Sequence, residues 1–271
     1  MNYKAICSDI DGTLLDKNRE LSVRTIAEVS RIKELIPFIL ISSRMPKSMR
    51  LLQKQLGVIE QPIIAYNGSL VLKGDDVLNS IEIPHSLLLT IQSYCKETSI
   101  HLSIYHNDDW FVPEMDYWAK REERNTKISP NVLSFFEVSR RLKLENKGCH
   151  KIMCMGEESE IGVLYEKLKQ FHANEINAYR SKPTYIEITD INQDKGSSLN
   201  VLINKLFPSL TMQDFIAFGD NYNDTSLLAG VGLGIAVKNA KEEVLNVADE
   251  ITESNIEDGV AISIKKYFTK A

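Results

Sequence analysis

Short apolar runs alternate with helically spaced apolar positions over the first third of the chain. The runs at 5–8, 38–41 and 62–65 are almost continuously apolar, as expected for strands that helices cover on both faces. Ser22 can cap a helix, and Pro46 can open another at a position where its missing N–H is harmless. The order strand, helix, strand, helix, strand predicts a doubly wound parallel sheet.

The same alternation resumes in the last third of the chain. Lys195 and Gly196 stand at the head of a helical pattern, and further strands are predicted at 215–218 and 233–236. Two more helices are predicted towards the C-terminus.

Between these parts, from about Ile81 to Asp190, alternating polar and apolar positions replace the continuous apolar runs. Antiparallel strands are predicted at 102–105, 110–112, 151–155, 175–180 and 184–188. Amphipathic helices are predicted near 87–96 and 161–171. This pattern indicates an α+β unit inserted into the parallel-sheet domain.

The predicted fold class is therefore α/β with two domains. Residues 1–81 and 190–271 form a doubly wound parallel-sheet core of the Rossmann-like type, and residues 82–189 form the inserted α+β domain. A length of 271 residues exceeds the usual size of one domain, which agrees with this division.

Charge and cysteine usage exclude some function classes. The formal net charge of −5 argues against a general nucleic-acid binder, which is normally basic. The four cysteines are scattered without a metal-type Cys-x-x-Cys spacing, so buried thiols in a reducing compartment are expected. Neither a signal-peptide pattern nor a bilayer-spanning apolar run occurs, so we expect a cytoplasmic protein.

Candidate chemistry begins where the first predicted strand ends, in Asp9-Ile-Asp-Gly-Thr13. Side chains two positions apart on a strand share a face, so Asp9 and Asp11 can face one small volume. A hard divalent cation such as Mg2+ would relieve the repulsion of the two carboxylates, and Gly12 permits a tight turn beside an anion. On this stretch alone, a solvated Asp-Gly turn stays open as the simpler interpretation.

Further polar residues stand at the ends of other predicted strands or at the start of the next helix. Ser42 follows the second strand, Lys195 opens a helix, and Asp220 and Asp224 follow a strand near the C-terminus. Ligands of open α/β sheets bind at the carboxyl ends of the strands, so these positions predict one shared site.

In this order the motifs resemble the haloacid dehalogenase-like (HAD) hydrolase superfamily, and within it the Cof-type phosphatases with a C2B-type cap. The resemblance covers nearly the whole chain. It rests on Asp-Ile-Asp-Gly-Thr-Leu15, Asn67-Gly68, Lys195-Gly196, Gly219-Asp-x-x-Asn-Asp224, Asn239-Ala240 and Ser254-Asn-x-Glu-Asp-Gly-Val260. It implies a HAD core and an inserted cap that excludes water during the first chemical step.

The resemblance implies catalytic and metal-binding roles. Asp9 would be the nucleophile that forms an aspartyl-phosphate, and Asp11 would protonate the leaving oxygen and then activate water. The carboxylates of Asp9 and Asp220 and the backbone carbonyl of Asp11 would hold Mg2+. Asp224 would orient a metal-bound water. For Asp11, a turn-capping role stays open.

The resemblance also implies positive charge and donors around the phosphate. Lys195 and the Ser42 hydroxyl would contact it, together with the backbone N–H groups of Ile10 and Ser43. Asn223 would donate its amide to the same group or orient Lys195. Simpler roles stay open: a solvated lysine, a helix-capping serine and a turn asparagine.

Arg44 and Asn67 would line the phosphate or the leaving-group side of the site, or only brace the loop. One departure from the family pattern precedes Arg44, where Ser43 occupies a position that is usually glycine. If that position requires an unusual backbone angle, serine would introduce strain there.

The predicted activity is Mg2+-dependent hydrolysis of small phosphomonoesters, such as sugar phosphates or phosphorylated cofactors, through an aspartyl-phosphate. The expected partner is a small phosphorylated metabolite, with no nucleic acid or membrane involved; the oligomeric state stays open, a monomer included. Two alternatives remain: a phosphotransferase or mutase resembling phosphomannomutase, and a non-catalytic ligand sensor. The intact Asp9, Asp11, Lys195 and Asp220 argue against the sensor.

Overall fold

The computed structural model describes residues 3–269 of the chain. They divide into two compact units, one that extends to Asn79 and resumes at Asp194, and one from Ser80 to Gln193. The boundaries predicted from sequence, after residues 81 and 189, lie a few residues away from these.

The helices and strands are numbered in chain order. The first segment contains β1 (Ala5–Ser8), α1 (Val23–Ile32), β2 (Phe38–Ile41), α2 (Pro46–Leu56), β3 (Ile63–Ala65), β4 (Leu70–Lys73) and β5 (Asp76–Ser80). The middle segment contains α3 (His85–Cys95), β6 (His101–His106), β7 (Asp109–Val112), α4 (Tyr117–Thr126), β8 (Asn131–Val132), α5 (Phe135–Leu144), β9 (Lys151–Met155), α6 (Glu158–His172), β10 (Ile176–Lys182) and β11 (Tyr185–Asp190). The last segment contains α7 (Lys195–Leu206), β12 (Phe215–Gly219), α8 (Thr225–Gly230), β13 (Leu233–Val237), α9 (Glu242–Val247), β14 (Glu250–Thr252) and α10 (Gly259–Tyr267).

The first unit is built on one sheet with the strand order β14-β13-β12-β1-β2-β3-β4-β5. All pairs from β14 to β3 are parallel, and β4 pairs antiparallel with β3. The chain moves outward from β1 through β2 and β3, and later from β12 in the opposite direction. The strand order therefore reverses between β1 and β12, which is where open α/β sheets bind ligands.

The central strands of this sheet are buried on both faces, as their continuous apolar sequences predict. Every residue of β1, β2 and β12 is buried. One face packs on apolar residues of α7, α8 and α9, including Leu199, Leu227 and Val244. Ser22 caps α1 by accepting a hydrogen bond from the backbone N–H of Thr25 at 3.0 Å, as predicted.

The second unit contains a six-stranded sheet with the order β10-β11-β9-β6-β7-β8. Its pairs are antiparallel except β7 with β8. Its apolar core includes Leu88 and Ile91 of α3, Val138 of α5 and Leu164 of α6. The two units together confirm the predicted α/β fold class with a parallel-sheet core and an additional α+β unit.

Within the described residues, none of the helices combines the length and the apolar character needed to cross a lipid bilayer.

Candidate active site

Asp9 lies directly after β1 and is nearly buried, with 5% of its surface exposed. Its backbone N–H donates to the carbonyl of Phe218 at 3.0 Å, which fixes Asp9 beside the end of β12. The chain then turns at Gly12, which has a φ of +89°. A Cβ at Gly12 would lie 2.5 Å from Oδ2 of Asp220, so the turn and the approach of this carboxylate both require glycine.

Lys195 is the first residue of α7 and is fully buried. Asp194 caps this helix by accepting from the backbone N–H of Ser197 at 3.0 Å, and so determines where Lys195 begins the helix. The Lys195 ammonium donates to Oδ1 of Asp9 at 2.6 Å and to Oδ1 of Asp224 at 2.5 Å. Burial opposes its charge, but Asp224 and Asp9 outweigh that effect and raise the pKa of Lys195.

Asp224 connects Lys195 to the loop that follows β12. While its Oδ1 accepts from Lys195, its Oδ2 accepts from the backbone N–H groups of Asp220 and Asn221, both at 3.0 Å. Gly219 makes room for this side chain, because a Cβ there would lie 2.5 Å from that of Asp224. Asp224 therefore positions both the ammonium and the backbone that carries Asp220.

Asp220 projects from this loop towards the Gly12 turn. Its Oδ1 accepts from the Thr13 hydroxyl at 2.8 Å. Burial and, secondly, the charge of Asp224 raise the pKa of Asp220 to about 6. Burial also raises the pKa of Asp9, with Lys195 opposing the rise and Asp224 adding to it.

The carboxylates of Asp9, Asp220 and Asp224 form a cluster that could hold a metal ion. One oxygen from each lies within 4.8 Å of the others. The Lys195 ammonium contacts two of these three carboxylates, and the raised pKa values of Asp9 and Asp220 reflect burial and the excess negative charge. A hard divalent cation would relieve this excess, and an all-oxygen donor set suits such an ion.

Asp11 is held by two guanidinium groups. Arg44 binds it in a fork, with Nε 2.6 Å from Oδ2 and Nη2 2.7 Å from Oδ1. Arg19 adds a third contact, from Nη2 to Oδ1 at 3.1 Å. Burial alone would raise the pKa of Asp11, but the hydrogen bonds and charge of Arg44, with Arg19, lower the pKa below its ordinary value.

Ser42 and Asn67 lie at the ends of β2 and β3, in the loops that border the site. The Ser42 side chain is buried and accepts from the backbone N–H of Arg44 at 3.3 Å. The Asn67 backbone N–H donates to the Ser42 carbonyl at 2.9 Å. Asn67 has a φ of +58°, a conformation that asparagine tolerates better than most residues.

Asn223 and Ser43 are two further predicted positions. The amide of Asn223 donates to Oδ1 of Asn67 at 2.9 Å, and its predicted contact with phosphate or Lys195 stays a prediction. Ser43 is not one of the non-glycine residues with positive φ in the described range 3–269. The backbone strain considered for a serine in place of the family's usual glycine therefore does not arise. Ile10 is fully buried between the two aspartates.

The structure also brings residues to the site that sequence reasoning did not assign. Arg19 reaches Asp11 from the loop before α1. Asn239 donates its amide to the Gly12 carbonyl at 2.8 Å and accepts from the Asn255 backbone N–H at 2.9 Å. The motif Asn239-Ala240 had signalled a role for this asparagine but not which one.

Comparison with known proteins shows the family to which the chain is similar. The sequence profile of the haloacid dehalogenase-like hydrolase family matches residues 6–264. A relative from Haemophilus influenzae with a provisional phosphatase name is 32% identical over 272 residues, covering 99% of both chains. A Bacillus subtilis 5-amino-6-(5-phospho-D-ribitylamino)uracil phosphatase is 28% identical, over 98% of this chain and 96% of its own.

Solved structures show the same fold. A haloacid dehalogenase-like hydrolase from Bacteroides thetaiotaomicron superposes with a TM-score of 0.88 at 26% identity, covering 98% of this chain and all of its own. A protein from Thermotoga maritima gives 0.86 at 27% identity, covering 97% of both chains. As its motifs predicted, the chain belongs to the haloacid dehalogenase-like hydrolase superfamily, among the Cof-type hydrolases.

Proposed function

We propose that this protein is a Mg2+-dependent phosphatase that hydrolyses small phosphomonoesters through an aspartyl-phosphate on Asp9. The observation that carries the proposal is the buried contact of Asp9 with Lys195, beside Asp220 and Asp224, at the point where the strand order reverses. The phosphatase names of the Haemophilus and Bacillus relatives support the same reaction.

In the first step, a carboxylate oxygen of Asp9 forms a bond to phosphorus while the bond from phosphorus to the ester oxygen breaks. The departing oxygen takes a proton from Asp11. Lys195 favours the anionic form of Asp9 against the effect of burial, and it places positive charge where the phosphoryl oxygens gather negative charge.

In the second step, water attacks the phosphorus of the aspartyl-phosphate and gives a proton to Asp11. The bond from phosphorus to Asp9 breaks, which releases inorganic phosphate and restores both carboxyl groups. The Ser42 hydroxyl and the backbone N–H groups of Ile10 and Ser43 would donate to phosphoryl oxygens in both steps.

Asp9 and Asp220 would hold Mg2+ through their carboxylates, together with the backbone carbonyl of Asp11. The ion would offset the charge of the phosphoryl group and of the carboxylate cluster. Asp224 is already occupied by Lys195 and two backbone N–H groups, so it would act by fixing Asp220.

The substrate class proposed is a small soluble phosphorylated metabolite, either a sugar phosphate or a phosphorylated cofactor precursor. The Bacillus relative is named as a phosphatase of 5-amino-6-(5-phospho-D-ribitylamino)uracil, so a substrate screen should include that compound. We also propose a cytoplasmic location.

The test compares Asp9→Asn with Asp75→Asn, which removes the same charge at an exposed position. We expect Asp9→Asn to abolish phosphate release from p-nitrophenyl phosphate in the presence of Mg2+, because an amide cannot form the acyl phosphate. Asp75→Asn should retain wild-type turnover. Both variants should unfold cooperatively, because Lys195 keeps Asp224 as a partner in Asp9→Asn.

Chelation of divalent cations should stop turnover by the wild-type protein, and added Mg2+ should restore it. We expect phosphate to be released when water is the only acceptor of the phosphoryl group. A mutase would instead need a second sugar hydroxyl as the acceptor. An Asp9→Asn protein that keeps turnover within about tenfold of the wild-type rate would contradict the assignment of Asp9 as the nucleophile.

A further inference from the structure

The second unit contains a cavity between two of its helices and the sheet on which they pack. It is lined by Leu102 and Ile104 of β6, Phe111 of β7, Val138 of α5 and Cys95 of α3. All five side chains are buried. Leu102 and Ile104 face the cavity together, because side chains two positions apart on a strand point to the same face. Four elements therefore supply apolar walls to one cavity.

The cavity lies at one end of α3. At the other end, Nε2 of His85, the first residue of this helix, is 2.9 Å from the Ser139 hydroxyl of α5. The α3 residues beside the cavity are Gln92, Cys95 and the capping residue Lys96. The two helices are therefore bonded near the start of α3, and the cavity lies near its C-terminus.

The volume of the cavity, about 210 Å³, determines which ligands fit. An apolar cavity of about 150 Å³ suffices for benzene, whereas drug-sized ligands occupy about 300 Å³ or more. Water suits apolar walls poorly, because it needs two or more polar partners. The rings of Phe111 and Phe135 both line the cavity, which favours an aromatic ligand. The cavity therefore suits a molecule with one aromatic ring.

Polar groups lie beside the cavity at the end of α3. Lys96 is exposed and Gln92 is half-buried, so the cavity reaches the surface here. The Cys95 carbonyl accepts from the backbone N–H of Thr98 at 3.2 Å and from its hydroxyl at 2.9 Å. Because this acceptor is occupied, the Lys96 ammonium and the Gln92 amide remain as donors. A carboxylate is the ligand group that matches them.

We propose that this cavity binds a small aromatic carboxylate, with its ring among the apolar side chains and its carboxylate at Lys96. Burial of the ring supplies most of the affinity, and the exposed ammonium sets the preference for an acid. The site lies within the second unit and uses none of the residues assigned to phosphoryl transfer. The inference is therefore independent of the proposed function.

Isothermal titration calorimetry with three probes tests each part of the site. Hydrocinnamate has the ring and the carboxylate, its amide has the ring without the charge, and propanoate has the charge without the ring. We expect hydrocinnamate to bind with a Kd of about 1 mM or below. The amide should bind about two- to fivefold more weakly, as for loss of one exposed charge pair, and propanoate at least about tenfold more weakly.

Two variants with matched controls locate the binding. Val138→Phe places a larger side chain in the cavity and should weaken hydrocinnamate binding at least about tenfold, whereas Val163→Phe, at an exposed position of α6, should not change it. Lys96→Gln should weaken hydrocinnamate about two- to fivefold and leave the amide unchanged. Lys143→Gln, on the exposed surface of α5, should affect neither probe.

Nuclear Overhauser contacts on the wild-type protein keep the test decisive if Val138→Phe fails to fold. The ring protons of hydrocinnamate should show such contacts to the methyl groups of Leu102, Leu133 and Val138, which line the cavity. The methyl groups of exposed Val163 should show none.

Absence of hydrocinnamate binding, or contacts of its ring with other side chains, would overturn the inference. Equal affinity for the acid and its amide, with Lys96→Gln unchanged, would overturn the assignment of a carboxylate. Displacement of the probe by inorganic phosphate would place it in the candidate active site. Self-association that Val138→Phe abolishes would assign the cavity to a second copy of the chain. Turnover of p-nitrophenyl phosphate tests the proposed function separately, since none of the probes carries a phosphate.

Discussion

At the scale of single residues, Lys195 determines the charge state of the site. Its ammonium is fully buried and bridges Asp9 and Asp224 at 2.6 and 2.5 Å. A buried ion pair is a poor source of stability in itself, because desolvation offsets much of the attraction. Removal of one partner is nevertheless costly, since it leaves the other charges buried without compensation.

The first prediction concerns Lys195→Met, which keeps the length of the side chain and removes its charge. We expect the free energy of unfolding to fall by about 3–5 kcal/mol at neutral pH, because two buried carboxylates lose their counter-ion. Turnover of p-nitrophenyl phosphate should fall by at least about a hundredfold. Denaturant titration and steady-state kinetics measure the two effects, with exposed Lys54→Met as the matched control.

An unchanged free energy of unfolding in Lys195→Met would contradict the buried bridge that the structure describes.

Single residues also mark the limit of sequence reasoning. Asp9, Lys195 and Asp220 were predicted because each follows a strand or opens a helix, and their order matched one family. Arg19 was missed because its position depends on a turn that hydrogen bonds to the Asp16 side chain stabilise. The spacing of polar and apolar residues carries no signal for such a turn. Asn239 was found as a motif, but its bond to the Gly12 carbonyl is a contact across 227 positions.

At the scale of elements, the turn after β1 is fixed from three directions. Asp220 occupies the space beside Gly12, Asn239 binds the Gly12 carbonyl, and Thr13 binds Asp220. The end of β1, the loop after β12 and the loop after β13 are therefore linked through one turn. A change of backbone at Gly12 should move the proposed metal ligands of two strands together.

The second prediction compares Gly12→Ala with Gly74→Ala. Both glycines have positive φ, +89° and +58°, but a Cβ at Gly74 would meet nothing within 4 Å. Gly74→Ala should cost about 1 kcal/mol of stability and leave activity intact. Gly12→Ala should displace Asp220 and raise the Mg2+ concentration needed for half-maximal activity by at least about tenfold.

The measurement is a Mg2+ titration of p-nitrophenyl phosphate turnover at saturating substrate, together with denaturant unfolding of each variant. A Gly12→Ala protein with the Mg2+ dependence of wild type would show that Asp220 does not depend on this turn.

The sequence predicted elements best where a strand is buried on both faces. β1, β2, β3 and β12 have continuous apolar runs, and their predicted bounds differ from the structure by at most a residue or two. The β4 and β5 hairpin was missed, since β5 is largely exposed and has no apolar pattern. Helix α4 was missed as well, because only Ala119 of its ten residues is buried.

At the scale of the whole molecule, the two units differ in their titratable cores. The first buries a carboxylate cluster around one lysine, whereas the second buries neutral histidines. His150 is fully buried: Nδ1 accepts from the Asn107 backbone N–H at 3.1 Å, so Nε2 donates to the Ser80 hydroxyl at 3.0 Å. Burial, and secondly the neighbouring His106, lower the pKa of His150 to about 3.

Burial of His150 in its neutral form predicts that the second unit loses stability in acid. The pKa of His150 is about 6.5 in the unfolded chain and about 3 in the folded one, so the unfolded chain binds the proton first. The contribution of the neutral His150 to the free energy of unfolding is fully present above pH 6.5, and it is lost as the pH falls from 6.5 towards 3. The equilibrium constant for unfolding rises by up to about tenfold for each pH unit in this range.

Both tryptophans of the chain, Trp110 and Trp118, lie in the second unit, so their fluorescence reports its unfolding specifically. Urea titrations between pH 7 and 4 should give a free energy of unfolding that falls with pH, and His150→Gln should reduce that slope by about one proton. His172→Gln, at a less buried histidine of the same unit, is the matched control for the loss of an imidazole. If His150→Gln kept the wild-type slope, the acid sensitivity would come from other groups of the unit, and the buried neutral imidazole would not be its cause.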